Sequence, residues 1–451
     1  MARGQAAVAQ ANEQRANMRR KKFDTIAVHG MYDMQAALAN QGSIIEPAYL
    51  ASAQHFENSD HLETALAYLM PAWGYTRLAN PTMNYLEETI ALLESYGCDC
   101  SASAMATSSG MSAVFMATNP FLENPELKKI NFVAAAKCYG GTFMLFAQRY
   151  MAERGIEVRW VKNPLDLDEW ASKIDDHTRF VFGEMPSNPG LALLDIAALA
   201  KLAHAHDLPL LVDSTVATAA LMRPLQHGAD IVIHSVSKSM ATSGFTIAGA
   251  LISRDQIPSR VGPQALRENF AQYAKLLPGR DYGPALSPFN ALMALNDLRT
   301  LRMRMDYTSR SAMTVAQFLG QHKNVEAVSY PGLSVQPGYD IAARYMWLVD
   351  GADDYGQEVN RFGALLSFNV RGGIPSTRQV FDKLQMIWRA TDLGRIKSIA
   401  TIPAISTHQQ QGDTGRDLAD VASNMIRLSV GAEHSADIIA DLEQALDSVS
   451  Q

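Results

Sequence analysis

Between residues 84 and 290, short apolar runs alternate with longer stretches whose apolar residues recur every three or four positions. The runs KINFVAAA (129–136), IEVRWV (156–161), TRFVFGE (178–184), LPLLVDST (208–215), ADIVIHS (229–235) and AGALIS (248–253) predict buried strands. Between two of them, LLDIAALAKLAHAHD (193–207) has the three-and-four spacing of a helix. Alternation of strand and helix predicts an α/β fold with a mostly parallel sheet covered on both faces. A long helical pattern follows over 286–319, and then the texture changes. GALLSFNV (363–370) and NMIRLSVG (424–431) predict strands of a smaller α+β domain. The chain is thus divided into an N-terminal arm and extended segment (1–83), a large domain (84–285) and a C-terminal small domain (286–451).

Composition narrows the function classes. A length of 451 residues calls for two domains rather than one small core. The formal net charge of −7 argues against nucleic acid as the main partner, because phosphate backbones call for basic surface. No window approaches about 18 uninterrupted apolar residues, so no membrane span is expected. The three cysteines, Cys98, Cys100 and Cys138, form no C-x-x-C. That pattern implies a reducing compartment, the cytoplasm, with no disulfide framework and no zinc site. His204 and His206 lie two apart on a predicted helix and do not share a face, so no metal centre is expected there. The first 22 residues are rich in Ala, Gln and Arg and lack the apolar stretch of a secretory signal. A mobile basic arm or short helix is expected, ahead of a transit peptide.

In sheets of this kind the chemistry sits at the carboxyl ends of the strands. Polar residues gather there: Glu184, Ser187 and Asn188 after one run, Asp213, Ser214 and Thr215 after the next, then Ser235, Ser237 and Lys238. Upstream, TSSGMSA (107–113) opens a helix whose backbone N–H groups can hold a phosphate. Taken singly, each has an ordinary explanation. Ser109 and Gly110 suit a helix cap, Asp213 a turn, Lys238 a solvated surface, Tyr139 a half-buried phenol, Met111 core filling and Arg77 a surface ion pair. Together, an amine, a carboxylate and an amide-lined helix start fit pyridoxal phosphate. That cofactor needs a lysine for its Schiff base, an acid for its pyridinium nitrogen and a phosphate cup. Neither G-x-G-x-x-G nor G-x-x-x-x-G-K-[ST] occurs, which counts against dinucleotide and NTPase folds.

From about Phe23 to Leu446 the chain resembles the Cys/Met-metabolism family of pyridoxal-phosphate enzymes, which includes cystathionine γ-synthase, methionine γ-lyase and the O-acetylhomoserine sulfhydrylases. The resemblance is carried, in order, by GYTRLANPTMNYLE (74–87), SSGMSA (108–113), CYGGT (138–142), EMPSNPGLALLDI (184–196), LVDST with RPLQHGADIVIHSVSK (211–238), and MIRLSVGAE (425–433). LSPFNALMALNDLRTLRMRM and STHQQQ (406–411) lean toward the sulfhydrylase branch. The resemblance implies a type I PLP-dependent transferase fold, like that of aspartate aminotransferase. It implies that Lys238 bonds to the cofactor and shuttles protons, that Asp213 pairs with the pyridine nitrogen, and that Tyr139 stacks on the ring and serves as acid or base. Gly110, Met111, Ser235 and Ser237 would line the phosphate cup, with Ser109 and Thr215 also binding cofactor. Asn188 would lie near the ring hydroxyl. Arg427 would grip the substrate's α-carboxylate bidentately, with Asp392, Asn188 and Tyr75 also on the substrate side. Tyr75 and Arg77 would reach the phosphate of a neighbouring subunit's cofactor, through the N-terminal segment. The active unit is therefore expected to be a homo-oligomer, a dimer of dimers.

The implied reaction is γ-replacement on an O-activated L-homoserine, O-acetyl-L-homoserine first among them, by a sulfur or other nucleophile. A γ-lyase acting on methionine or cystathionine, γ-replacement by a carbon nucleophile, and a non-catalytic scaffold are the alternatives. The chain departs from the family pattern in three places. After Lys238, Ser239 stands where an aromatic residue is usual, and Thr242 and Ser243 where Gly-His is usual. The S-L-G block reads DLG with Asp392, and H-P-A-S reads IPAI (402–405). An acid beside a carboxylate-binding arginine is unexpected, because like charges repel.

Overall fold

The computed structural model describes residues 2–67, 73–123, 129–352 and 356–449. Its large sheet has seven strands: β1 (Ala102–Thr107), β2 (Asn131–Ala135), β3 (Glu157–Val161), β4 (Thr178–Glu184), β5 (Leu210–Asp213), β6 (Ile231–His234) and β7 (Gly249–Arg254). The order across the sheet is β1-β7-β6-β5-β4-β2-β3. β7 runs antiparallel to both β1 and β6, and the remaining pairs are parallel. This is the mostly parallel sheet that the alternating pattern predicts.

The strands carry apolar residues without alternation because both faces are buried. Val133, Val181, Val212, Val232 and Ile252 enter one apolar cluster, and their neighbours Phe132, Phe180, Phe182, Leu211, Ile231, Ile233 and Leu251 enter another. Burying each such side chain contributes about 1.5–3 kcal/mol. β1 is absent from the expected strands. Its sequence, ASAMAT, has one β-branched residue and no apolar run. Pairing with β7 in register from Ala102↔Arg254 to Thr107↔Gly249 makes it a strand.

A smaller sheet follows. Its strands β8 (Val325–Ser329), β11 (Leu365–Val370), β12 (Trp388–Arg389), β13 (Ile399–Thr401) and β14 (Met425–Ser429) lie in the order β12-β13-β14-β11-β8, beside a two-stranded ribbon of β9 (Trp347–Ala352) and β10 (Glu358–Asn360). A large, mostly parallel sheet followed by a smaller sheet is the arrangement that the resemblance implies. The helical pattern over 286–319 resolves into two helices, Pro288–Leu298 and Leu301–Gln321.

The N-terminal segment carries α1 (Ala2–Arg19), α2 (Phe23–His29), α3 (Met34–Ala39) and α4 (Ser59–Leu66). Of the two forms expected for the first residues, a mobile basic arm or a short helix, the structure has the helix. Arg15 forms a bidentate pair with Glu88, on α5 (Pro81–Glu94), and Arg19 donates to the Ser101 hydroxyl at 2.8 Å. The cysteine expectation is also corrected: the structure joins Cys98 to Cys100. Gly97, at φ +73°, turns the chain after α5 and leaves the two Cα atoms 5.2 Å apart, within disulfide reach. Among the described residues no helix is long and apolar enough to cross a membrane, and no group of three or more His, Cys, Asp or Glu is arranged to hold a metal ion.

Candidate active site

Above the carboxyl ends of β4, β5 and β6 lies a cavity of about 200 Å³. Ser109, Gly110, Met111, Tyr139, Asn188, Asp213, Thr215, Ser235, Ser237, Lys238 and Arg427 all line it. Residues over 300 positions apart in the chain thus meet in one place.

One wall is the start of α6 (Gly110–Thr118). Ser109 caps it, its hydroxyl accepting from Ser112 N at 3.1 Å. The N–H groups of Gly110 and Met111 head the helix, where no intrahelical acceptor exists. Ser235 faces them: a Cβ on Gly110 would stand 2.6 Å from Ser235 Cβ and 2.9 Å from its Cα. Only glycine admits this approach, and the result is a cradle of N–H groups and a hydroxyl suited to a phosphate. Ser237 lines the cavity as well, and its hydroxyl donates to Ala248 O at 2.9 Å and accepts from Ala248 N at 2.8 Å, which ties it to the residue before β7. Thr215 likewise serves the frame, accepting from Ser235 N at 2.8 Å and donating its N–H to Asp213 Oδ1 at 3.0 Å.

Asp213 forms the floor. It is buried, and burial pushes its carboxyl up from the ordinary range. Among the described residues it makes no ion pair, and a buried acid of this kind suits a cationic group of a ligand. In register beside it on β4 stands Glu184, which received no role from the sequence. Glu184 accepts from Tyr139 N and Asn188 N, both at 2.7 Å, and so ties two site loops to one strand end. Burial and the Asp213 charge push its carboxyl up. The available signal was its place at the end of a parallel strand next to Asp213.

Tyr139 opens the helix α7 (Gly140–Met144). Its two glycines have separate reasons. A Cβ on Gly141 would lie 2.5 Å from the Tyr139 ring, and one on Gly140 would lie 2.2 Å from Thr407 O. Burial raises the Tyr139 phenol, with Arg427 opposing, so the phenol keeps its proton at neutral pH.

Arg427, on β14, is 1% exposed. It donates to Asn188 Oδ1 at 3.0 Å, Thr391 O at 3.2 Å and Asp392 O at 2.9 Å, while Nε meets no acceptor. Burial lowers its guanidinium to about 10. A buried cation held only by neutral oxygens fits an incoming carboxylate. Asn188 therefore orients Arg427, a contact the sequence did not suggest. His408 is fully buried behind it, and burial brings its imidazole down to about 4.

The structure leaves three expected residues outside this cavity's lining. Tyr75, 45% exposed, has the Arg77 guanidinium stacked over its ring, and Arg77 donates to Arg280 O. The Asp392 side chain turns to Lys238 rather than to Arg427, with Oδ1 2.5 Å from Nζ. The altered residues after Lys238 are anchored in the frame. Ser243 binds Asp297, Thr242 binds Arg304, and Ser239 and Thr242 line a separate cavity of about 20 Å³.

Comparison with known proteins agrees with this geometry. An O-acetyl-L-homoserine sulfhydrylase of Leptospira meyeri is 33% identical over 95% of this chain and 97% of its own. An L-methionine gamma-lyase of Fusobacterium nucleatum subsp. polymorphum is 33% identical over 96% of this chain and 100% of its own. The solved structure of a putative O-acetylhomoserine (thiol)-lyase from Campylobacter jejuni, which carries a pyridoxyl-lysine monophosphate, superposes with a TM-score of 0.82 at 31% identity, covering 95% of this chain and 100% of that one. The pattern of the Cys/Met metabolism PLP-dependent enzymes matches residues 24–447. Sequence, fold and a cavity with an amine, a buried acid and a phosphate cradle agree: the chain belongs to that family, and its cofactor is pyridoxal phosphate.

Proposed function

We propose that the protein catalyses γ-replacement on O-activated L-homoserine, with O-acetyl-L-homoserine as substrate and a sulfur nucleophile as acceptor. The observation that carries this reading is the buried Arg427 guanidinium, without a carboxylate partner, lining the same cavity as Lys238 and Asp213. It suits an amino acid whose α-carboxylate is held while its side chain reacts. The sulfhydrylase relatives support the choice of leaving group and acceptor.

Pyridoxal phosphate, when bound, supplies an electron sink for bonds broken next to the amino carbon. Lys238 Nζ would hold the cofactor through its aldehyde carbon and, when free of it, would carry protons between substrate carbons and the leaving oxygen. Asp213 would keep the ring nitrogen protonated. Gly110 N, Met111 N and the Ser235 hydroxyl would hold the phosphate. Tyr139, with its phenol protonated, would serve as a proton donor at the ring. Arg427 fixes the α-carboxylate. Tyr75 and Arg77, exposed and away from their own chain's cavity, complete the site of a neighbouring copy in a homo-oligomer.

A second reading, γ-elimination from methionine, is favoured by the methionine gamma-lyases at 32–33% identity. Both reactions use the same residues up to departure of the γ-substituent and differ in whether a nucleophile then adds. The test is mass spectrometry of products from O-acetyl-L-homoserine with sulfide, thiols and carbon acids, beside methionine alone. Homocysteine or its thioethers at the higher kcat/KM supports replacement. A ketoacid and ammonia from methionine without acceptor, at the higher kcat/KM, assigns elimination.

A further inference from the structure

The loop 391–395 presses directly on the peptide of Lys238. Gly394, at φ +72°, makes this contact: a Cβ there would stand 2.5 Å from Ser239 N and 2.9 Å from Lys238 C. The approach brings Asp392 Oδ1 to 2.5 Å from Lys238 Nζ. The carboxylate is fixed from the other side. Oδ2 lies 2.5 Å from Arg395 Nε, and Arg395 is itself held by Ala241 O at 3.0 Å. Leu393 N donates to Oδ1 at 2.9 Å. Arg427 meets the Asp392 main-chain carbonyl at 2.9 Å and not its carboxylate, whose ion pairs are with Lys238 and Arg395.

We propose that Asp392 is a positioning residue for the Lys238 amine, holding it as an ammonium at a fixed point of the cavity whenever it is not bonded to the cofactor, with Arg395 setting the strength of that hold. The proposal rests on Lys238 being the cofactor-bonding lysine.

The charged groups around the amine act in opposite directions. Burial pushes the Lys238 ammonium down, Asp392 pulls it up, and Arg395 and Arg427 push it down. Lys238 and Arg395 in turn hold the Asp392 carboxyl below its ordinary range, against burial. Glu184, Asp213 and Tyr139 face the same cavity from the ends of β4 and β5 and the start of α7. Arg304 meets Ser239 O and Met240 O and not the amine. In turnover the proton leaving a substrate carbon passes to Nζ, which becomes an ammonium beside Oδ1. No electron is gained or lost, and the carboxylate favours the protonated product of that step. The same pairing opposes attack of the amine on an aldehyde, since only the unprotonated amine attacks.

The test uses full-length protein freed of cofactor. The rate at which added pyridoxal phosphate develops its Schiff-base absorbance is followed against pH for the wild type, Asp392→Asn and Arg395→Met. The wild-type rate rises with pH to a midpoint. That midpoint falls by about one pH unit in Asp392→Asn, as expected for loss of one contacting, partly buried charge. It rises in Arg395→Met, which removes the opposing cation. The opposite signs separate an effect of charge from general loosening of the loop, and thermal melts confirm that each variant folds. A midpoint unmoved in Asp392→Asn, or falling in both variants, overturns the proposal. Borohydride reduction and peptide mass spectrometry locate the bonded residue in every variant. An adduct elsewhere than Lys238 defeats the assignment of the lysine itself. An adduct on Lys238 with an unmoved midpoint defeats only the role of Asp392.

Discussion

Replacing Arg427 separates its charge from its shape. Three of the five guanidinium N–H donors are used within the chain, to Asn188 Oδ1, Thr391 O and Asp392 O, and Nε is among the donors without a partner. A carboxylate held by two charge-assisted bonds gains about 1.5–3 kcal/mol from each. Arg427→Lys keeps a positive charge but presents a point donor in place of a fork, so one of those bonds goes. kcat/KM for O-acetyl-L-homoserine then falls by roughly 10- to 150-fold. Arg427→Met removes both bonds and the charge, a loss of about 3–6 kcal/mol, or roughly 10²- to 10⁴-fold. Either change also strips donors from buried oxygens, which lowers stability and could mimic a loss of catalysis. The assay therefore compares O-acetyl-L-homoserine with its α-carboxamide in the same preparation, so that any unfolded fraction cancels. Wild type prefers the carboxylate strongly, Arg427→Lys less so, and in Arg427→Met the preference approaches one. An unchanged preference in Arg427→Met would refute the assignment of this guanidinium to the substrate's carboxylate.

Other outcomes follow from the same geometry. Gly110→Ala drives a methyl group into Ser235, whose backbone Cα is 2.9 Å from the new atom, so the cradle must open; affinity for pyridoxal phosphate, read by absorbance titration, drops at least about tenfold with little change in melting temperature. If Arg77 serves a neighbouring copy, coexpressed Arg77→Ala and Lys238→Ala chains, each inactive alone, recover about a quarter of wild-type activity. Half of randomly paired dimers are mixed, and one site in two is intact in each; no recovery refutes sharing of the site. His408 is neutral in the fold, with its imidazole down at about 4, while the unfolded chain takes up a proton near 6.5. Acid therefore favours the unfolded state, and stability present above about pH 6.5 is lost as pH falls toward 4. By pH 5 the loss is about 2 kcal/mol. Urea melts at pH 7 and pH 5 should show this gap shrinking by that amount in His408→Gln, and an unchanged gap counts against it.

Much of the large sheet was legible because its strands are buried on both faces. Runs such as TRFVFGE need no alternation when Phe180 and Phe182 pack on one side and Val181 on the other. β1 was not legible, since small residues such as Ala102 and Ser103 become a strand only through their pairing with β7. The pattern over 286–319 has helical period throughout, yet the chain turns at Arg299 and Thr300, between two helices. Period alone does not mark a break that tertiary packing imposes. The Cys98–Cys100 pairing was missed for a similar reason, because it depends on the turn at Gly97 and not on spacing.

The chain by itself determined the chemistry available: one lysine after a strand, an acid after its neighbour, a helix start with glycine, and the ordered blocks that identify a pyridoxal-phosphate family. Those features are local, set by residue type and short spacing. The tertiary structure alone decided which charges meet. Glu184 ties the Tyr139 and Asn188 backbones together, Asn188 orients an arginine 239 positions away, and Asp392 turns from Arg427 to Lys238. Such contacts depend on angles and separations of a few ångströms between distant segments. No pattern along one dimension encodes them, because electrostatic coupling is governed by distance and burial, and both exist only once the chain has folded.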